Sequence, residues 1–437
     1  MNRALPFALA AALLATAAGP AFIQTPAAAQ VVRITPAQTA AALAEIKKQV
    51  RESYVFPERR ETIIKALDAA QASGRYAVTD PFELAARIGE DLGTSSRDKH
   101  MGLSWSPAQY ATAIAPRTAA GDDGSYWRNR AIRENSGLTE QKILPGNVRY
   151  VKLAPFLWQD DLSPAAYDGA MRFLAGGDAA IIDLRGNGGG SPVAVRYLTD
   201  HFMPAGQRLM SFHFGGETPE LSTTVEPKVG RVKAPLYVLI DGGVASAGEE
   251  FAYHVEQFKL GELVGQTTAG AANRNNLNPI APGFIFSISV GRPEHPVSKT
   301  NWEAVGVKPA VETPAAKALD VALVRALEKL EAAAAPAEKA KYAWARVDAA
   351  ARANPVALSG SPAAYAGTFG EMAVNDSAEG LMFVAPNRPP ARLTPLAPDL
   401  FAIDGSVRRA RFVRTGGAVT GLELLRENGE VKAYPKG

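Results

Sequence analysis

The 437-residue chain contains no cysteine. Disulfides, thiolate metal sites and cysteine nucleophiles are excluded, and stability is left to the packed core. Histidine is scarce, with five in all. No two of them are spaced to share a metal ion and no HExxH occurs, so neither a metal site nor a cofactor is expected. Strong charge of one sign is also missing. The formal net charge of +3 is too small, and too scattered, to suggest nucleic acid or an anionic membrane as partner. Long apolar runs are confined to the start, where MNRALPFALAAALLATAAG has one early arginine and Ala27-Ala28-Ala29 offers small residues before Gln30. That run is short of the ~20 apolar residues a membrane span needs. The expectation is a cleaved signal peptide over residues 1–29, hence a periplasmic or secreted protein without a membrane span.

What is present suggests several domains. Thr35-Pro36-Ala37-Gln38 combines a capping threonine, a proline at the first helical position and a glutamine at the third, with Leu43, Ile46 and Val50 following at helical spacing. Asp80-Pro81-Phe82-Glu83 repeats that start signal before Leu84, Ile88 and Leu92. A helical N-terminal domain over 30–110 follows. From about residue 147 the strand-like runs VRYVKL, AAIIDLR, RLMSFHF, PLYVLID, ELVGQTT and FIFSISV are interleaved with helical stretches at 192–203, 247–259 and 314–331. That alternation predicts an α/β domain with a largely parallel sheet over 111–327. An Ala/Lys/Glu-rich, partly helical linker spans 328–355. Beyond it, short strand-like runs and the turns Asp404-Gly405, Gly416-Gly417 and Asn428-Gly429 predict an antiparallel β module over 356–437.

Two loops could carry chemistry. In PLYVLIDGGVASAGEE a buried strand ends at Ile240 and Ser246 stands where a helix begins. Ser246 and Glu249 have capping-box spacing. A serine at that position also faces free helix amides that suit a developing negative charge. In DLRGNGGGSP, glycines lie between a strand and Pro192, a helix-starting residue. They make either a tight structural turn or a nest of amides for an anion. No Gly-Lys-Ser/Thr follows for a phosphate loop, and Ser191 replaces the third glycine of a dinucleotide fingerprint. The oxyanion of acyl transfer remains as a candidate.

A serine nucleophile needs a base. His254 lies on the same helix as Ser246, about 12 Å along the axis. His201 ends a helix and is suited to cap it, His213 alternates within a strand, and His295 sits in a proline-rich loop. His100, in the loop SSRDKHMGL, is left.

Four motifs in order, DLRGNGGGSP, VASAGEEFAYHVE, LVGQTTAGAAN and NWEAVGVKPAVE, resemble the S41 serine peptidases: tail-specific (C-terminal processing) proteases, tricorn core protease and interphotoreceptor retinoid-binding protein. SGRYAV and DLGTSSRDKH resemble the helical segment of the last branch. The resemblance covers about residues 38–325. It implies an α/β, ClpP/crotonase-like catalytic core behind an N-terminal helical bundle, with a C-terminal antiparallel β module. Ser246 would be the nucleophile, and Gly188, Gly189 and the amide of Ala247 the oxyanion donors. The tail-specific branch places its lysine base where Ala271 stands, which leaves the tricorn-like arrangement, His100 as base with Glu303 behind it. In tricorn a serine precedes that histidine, whereas Lys99 does here. Ser106–Asn147 is too short for the PDZ domain of tail-specific proteases. The reading is an exported serine endopeptidase acting on peptides or proteins. The alternatives are a non-catalytic carrier of apolar, retinoid- or fatty-acid-like ligands on the same fold, or a hydrolase of non-peptide esters or amides.

Overall fold

The runs AAIID and LYVLI, buried at every position, form the strands Ala179–Asp183 and Leu236–Ile240. They lie at the centre of a six-stranded sheet. A computed structural model of the chain describes residues 32–115, 125–215 and 218–437; the leader expected over residues 1–29 lies outside them. From one edge the strands are Val311–Glu312, Gly261–Gly265, Leu236–Ile240, Ala179–Asp183, Val148–Leu153 and Leu138–Leu144. All neighbours pair in parallel except the last two, which are antiparallel. Strands buried on both faces read as unbroken apolar runs for that reason.

Helices cover both faces. On one side Ser163–Ala175, Pro192–Asp200 and Ala247–Gln257 share a core that includes Tyr167, Leu198 and Phe251. On the other, Ala318–Ala333 and Pro336–Ala353 pack against Ile181, Tyr237 and Leu239 through Leu323, Leu327 and Tyr342. The stretch read as a linker is therefore a packed helical hairpin, since Tyr342, Ala345 and Ala349 cover the back of the sheet.

Two of the expected strand runs leave this sheet. Arg208–His213 and Phe284–Glu294 join Gly102–Trp105, Arg274–Ile280 and Glu220–Thr223 in a separate five-stranded sheet. The N-terminal helices Pro36–Ser53, Arg60–Ala72 and Pro81–Ser96 do not close on themselves. Leu43, Ile63, Leu84 and Ile88 bury against Phe284, Phe286 and Ile288 of that sheet, each fully buried large apolar side chain stabilising by roughly 1.5–3 kcal/mol. Both expected helix starts are present: Thr35 and Gln38 form a capping box, and Asp80 accepts from the amides of Phe82 and Glu83. The third helix ends at Arg97 in a left-handed conformation, which turns the chain into the loop carrying Asp98 and His100.

The C-terminal module is an eight-stranded antiparallel meander from Gly367–Phe369 to Val431–Pro435. A bridge between Phe369 and Lys436 brings its edges together, making a nearly closed barrel. Gly416 and Gly417 both have positive φ and connect the paired residues Thr415 and Ala418, as a two-residue hairpin requires. The Asn428-Gly429 turn differs. Only Gly429 has positive φ, and its amide donates to Arg426 O, so Glu427 and Asn428 form the turn and Gly429 the residue after it.

Candidate active site

The glycine loop and the Ser246 turn both leave the carboxyl ends of central strands, where ligands sit in open α/β sheets. Asp183, buried at the end of its strand, pairs with Arg185 at 2.6 Å and accepts from Tyr150 Oη at 2.8 Å. Arg185 Nη1 also donates to Ala315 O at 2.5 Å. That anchors the entry to the loop. Asn187, wholly buried, donates to Leu153 O at 3.1 Å and accepts from the amide of Gly189 at 2.9 Å. Its carbonyl accepts from Ala245 N at 2.9 Å, which ties the loop to the residue before Ser246. Gly189 has φ +106°, and a Cβ there would sit 2.7 Å from Ser246 Cβ and 2.9 Å from Ala245 O. A glycine is needed because the two loops press together at Ser246.

Ser246 caps the helix Ala247–Gln257 with φ 52° and ψ −121°. A non-glycine residue held there stores on the order of 1–3 kcal/mol of strain, and such residues cluster at functional sites. Its amide donates to Glu249 Oε2 at 3.0 Å. Of the three oxyanion donors expected from the sequence, Gly189 has its N–H committed to Asn187. The N–H groups of Gly188 and Ala247 have no acceptor among the described residues. At Gly188 a Cβ would meet nothing within 4 Å. Ser191 caps the next helix by position, but its hydroxyl makes no capping bond.

His100 lies in a second cluster. A ring nitrogen of His100 and a carboxylate oxygen from each of Asp98 and Glu303 lie within 4.8 Å of one another. These donors could hold a cation, although sequence spacing suggested no metal site. Asp98 is buried, accepts from the His100 amide at 2.9 Å and from Asn273 Nδ2 at 3.1 Å, and faces Tyr54 Oη at 3.3 Å. Glu303 Oε2 accepts from the amides of Ala272 at 2.6 Å and Asn273 at 3.1 Å. Its Oε1 and the Nδ1 of His100 are buried without hydrogen-bond partners among the described residues. Burial and the neighbouring Asp98 charge push the Glu303 carboxyl up to about 7, against the pull of its backbone donors. Burial holds the His100 imidazole below its ordinary value, with Asp98 offsetting part of that shift. The proton thus sits more readily on the carboxylate than in a solvated pair.

One loop joins the two clusters. Glu249, wholly buried and paired with no cation among the described residues, accepts from the amides of Gly270 at 2.6 Å and Ala271 at 2.8 Å and from Thr268 Oγ1. Burial raises its pKa and these hydrogen bonds counter the rise. The next two amides of the same loop, Ala272 and Asn273, belong to Glu303. The four consecutive residues 270–273 therefore hold Glu249, behind Ser246, and Glu303, beside His100. No hydrogen bond joins the Ser246 hydroxyl to His100 directly among the described residues. Ala271, where a lysine base would stand, is buried.

The remaining histidines are elsewhere. Nδ1 of His201 lies 2.9 Å from Tyr197 O at the end of its helix, in the capping role expected of it. His254 and His295 are buried with ring centroids 5.4 Å apart. Asp98, Asn273 and the bridging part of Glu249 were not anticipated. Only the Asp98-x-His100 spacing hinted at the first.

The model of peptidase family S41 matches residues 147–313. The carboxy-terminal processing protease CtpA of Bacillus subtilis (strain 168) is 26% identical over 117 residues, 27% of this chain. The chain spans about a quarter of that curated relative's length, 25%. Among solved structures, the photosystem II D1 C-terminal processing protease aligns at 16% identity and TM-score 0.40, over 64% of this chain and 94% of that one. Mature CPAF aligns at 11% identity and TM-score 0.48, over 67% of this chain and 98% of that one.

Proposed function

We propose, on the premise that the chain belongs to peptidase family S41 through residues 147–313, that it is an exported serine endopeptidase working through an acyl-enzyme on Ser246. The observation that carries this reading is the strained Ser246 at a helix mouth, packed against Gly189. In the reaction, Ser246 Oγ attacks the scissile carbonyl and its proton passes to His100. The oxyanion forms against the unengaged amides of Gly188 and Ala247, and His100 then delivers the proton to the leaving amine. Water, deprotonated by His100, hydrolyses the ester. Glu303, in its ionised form, accepts from the imidazolium and stabilises it. Serine–imidazole hydrogen bonds are often long in free enzymes and tighten with substrate, which fits two clusters bracketed by one loop. Gly189 shapes the wall at Ser246 while Asn187 holds its amide.

The test is incubation of the full chain and its Ser246→Ala form with a casein digest, read by mass spectrometry. Loss of new fragments and of labelling by a serine-directed phosphonate, with an unchanged melting curve, is expected. Hydrolysis that persists in Ser246→Ala rejects the assignment. Chelation with EDTA leaves turnover unchanged in this mechanism. A loss of activity restored by metal would instead mean that Asp98, His100 and Glu303 work as a metal site.

A further inference from the structure

We propose that the open end of the C-terminal barrel binds a carboxylate carried on an apolar body. A fatty acid and the free C-terminal end of an apolar peptide both have that chemistry. The hairpin loops at residues 370–371, 385–390 and 403–408 lie at one end of the barrel and surround a cavity of about 850 Å³. That volume is within the range of pockets for small organic ligands. Its apolar lining includes Met372, Phe383, Ile403 and Leu424, all buried and all part of the barrel core. Behind them the interior is packed by edge-on contacts of Phe412 with Tyr365, Phe369 and Phe401.

The charges at this mouth are unusual for the module. Arg388, Arg392, Arg408 and Lys432 line the cavity with only two carboxylates, Glu371 and Asp404. None of the four cations makes an ion pair among the described residues. The barrel's other arginines all do: Arg409 with Asp348, Arg411 with Glu423, Arg414 with Asp399 and Arg426 with Glu430. Unpaired guanidinium groups are suited to grip a carboxylate by charge-assisted hydrogen bonds. Pro386, Pro389 and Pro390 restrict the rim loop, which lowers the ordering cost of binding. An apolar floor under a cationic rim selects an amphipathic anion.

This site is separate from Ser246. The barrel leans on the helix Pro336–Ala353 through Arg409, whose guanidinium stacks on Trp344 at 3.7 Å and pairs with Asp348 at 2.7 Å. That helix covers the face of the central sheet opposite Ala247–Gln257. The proposal therefore stands apart from the peptidase reading.

The experiment titrates the full chain with cis-parinaric acid, a fluorescent fatty acid, and in a second arm with a dansylated peptide ending in Leu-Ala-Ala. Saturable binding of at least one probe at one site per chain is expected. It should weaken by about tenfold or more in the Arg392→Ala/Arg408→Ala double variant, and equally when the carboxylate is blocked as methyl ester or amide, a loss of one 1.4 kcal/mol step or more. Ser246→Ala should bind as the unmodified chain does. The arm that responds identifies the source of the carboxylate. Absence of saturable binding in both arms, or a smaller change in a double variant with an unaltered melting curve, overturns the proposal.

Discussion

The carboxyl edge of the central sheet and the mouth of the barrel both hold ionisable groups without counter-ions among the described residues, but of opposite sign and depth. At the sheet edge the carboxylates of Glu249, Glu303 and Asp98 are sunk among backbone amides and neutral side chains. At the barrel mouth the cations stand in or near solvent. Buried anions are costly unless amide donors hold them, so their proton affinity responds to small changes around them. Exposed cations cost little and respond to what arrives from solution. The first arrangement suits proton transfer, and the second suits capture.

The largest separation between these regions should come from Gly189→Ala. Its methyl group would occupy the space of Ser246 Cβ and Ala245 O, so peptide hydrolysis should fall by about 10²–10³, the scale of a lost oxyanion donor. Gly188→Ala, which meets nothing within 4 Å, should retain activity within about tenfold of wild type in the same kcat/KM assay. Equal losses in both variants would mean that loop flexibility, not contact with Ser246, is what the glycines supply.

Glu303→Gln sharpens the comparison through pH. Ionised Glu303 is the form that supports an imidazolium, so kcat/KM should rise with pH around 7, where its carboxyl titrates; that apparent midpoint belongs to the Glu303–His100 pair. The glutamine variant should lose this limb and retain a lower, acid-shifted one governed by His100, whose value burial depresses. Stability runs the other way with pH. A folded-state value raised from 4.5 to about 7 stabilises fully below 4.5, and the contribution disappears as pH rises through 7. The size is about 3 kcal/mol at most, from 1.36 kcal/mol per unit. His100 acts in the opposite direction: its lowered value stabilises above 6.5 and that contribution is lost as pH falls through its folded value. Urea melts of the glutamine variant between pH 4 and 8 should flatten on the Glu303 side. A wild-type slope that survives the substitution would assign the limb to another group.

The smallest effect on catalysis is expected at the barrel's seat. Arg409→Ala leaves Asp348 unpaired and Trp344 uncovered, costing about 3 kcal/mol of module stability. Calorimetry should show a lowered barrel transition while peptide hydrolysis stays within about twofold. A collapse of hydrolysis would mean that the two regions are energetically one.

Much of the element pattern was legible along the chain because it is local. The central strands are unbroken apolar runs, Thr35 and Asp80 announce helix starts, and Pro192 opens the helix after the glycine loop. Period and capping are read within a few residues. Sheet membership was not legible. RLMSFHF and FIFSISV have the same apolar character as the central strands, yet pair elsewhere and provide the floor for the N-terminal helices. Nothing within either run records which neighbour will supply its hydrogen bonds.

By itself the sequence determined that cysteine chemistry is excluded, that a serine stands at the mouth of one helix and a glycine loop precedes another, and that one histidine lies in a loop free of regular periodicity. Those are properties of residue type and of spacing within one turn. Only the tertiary structure decided that Asp98 and Glu303 share one space with His100, that the loop 270–273 holds the carboxylates of both clusters, and that Gly189 gives its amide to Asn187. Such features depend on groups more than two hundred residues apart becoming neighbours, and on burial, which sets where a proton resides and which no local pattern encodes.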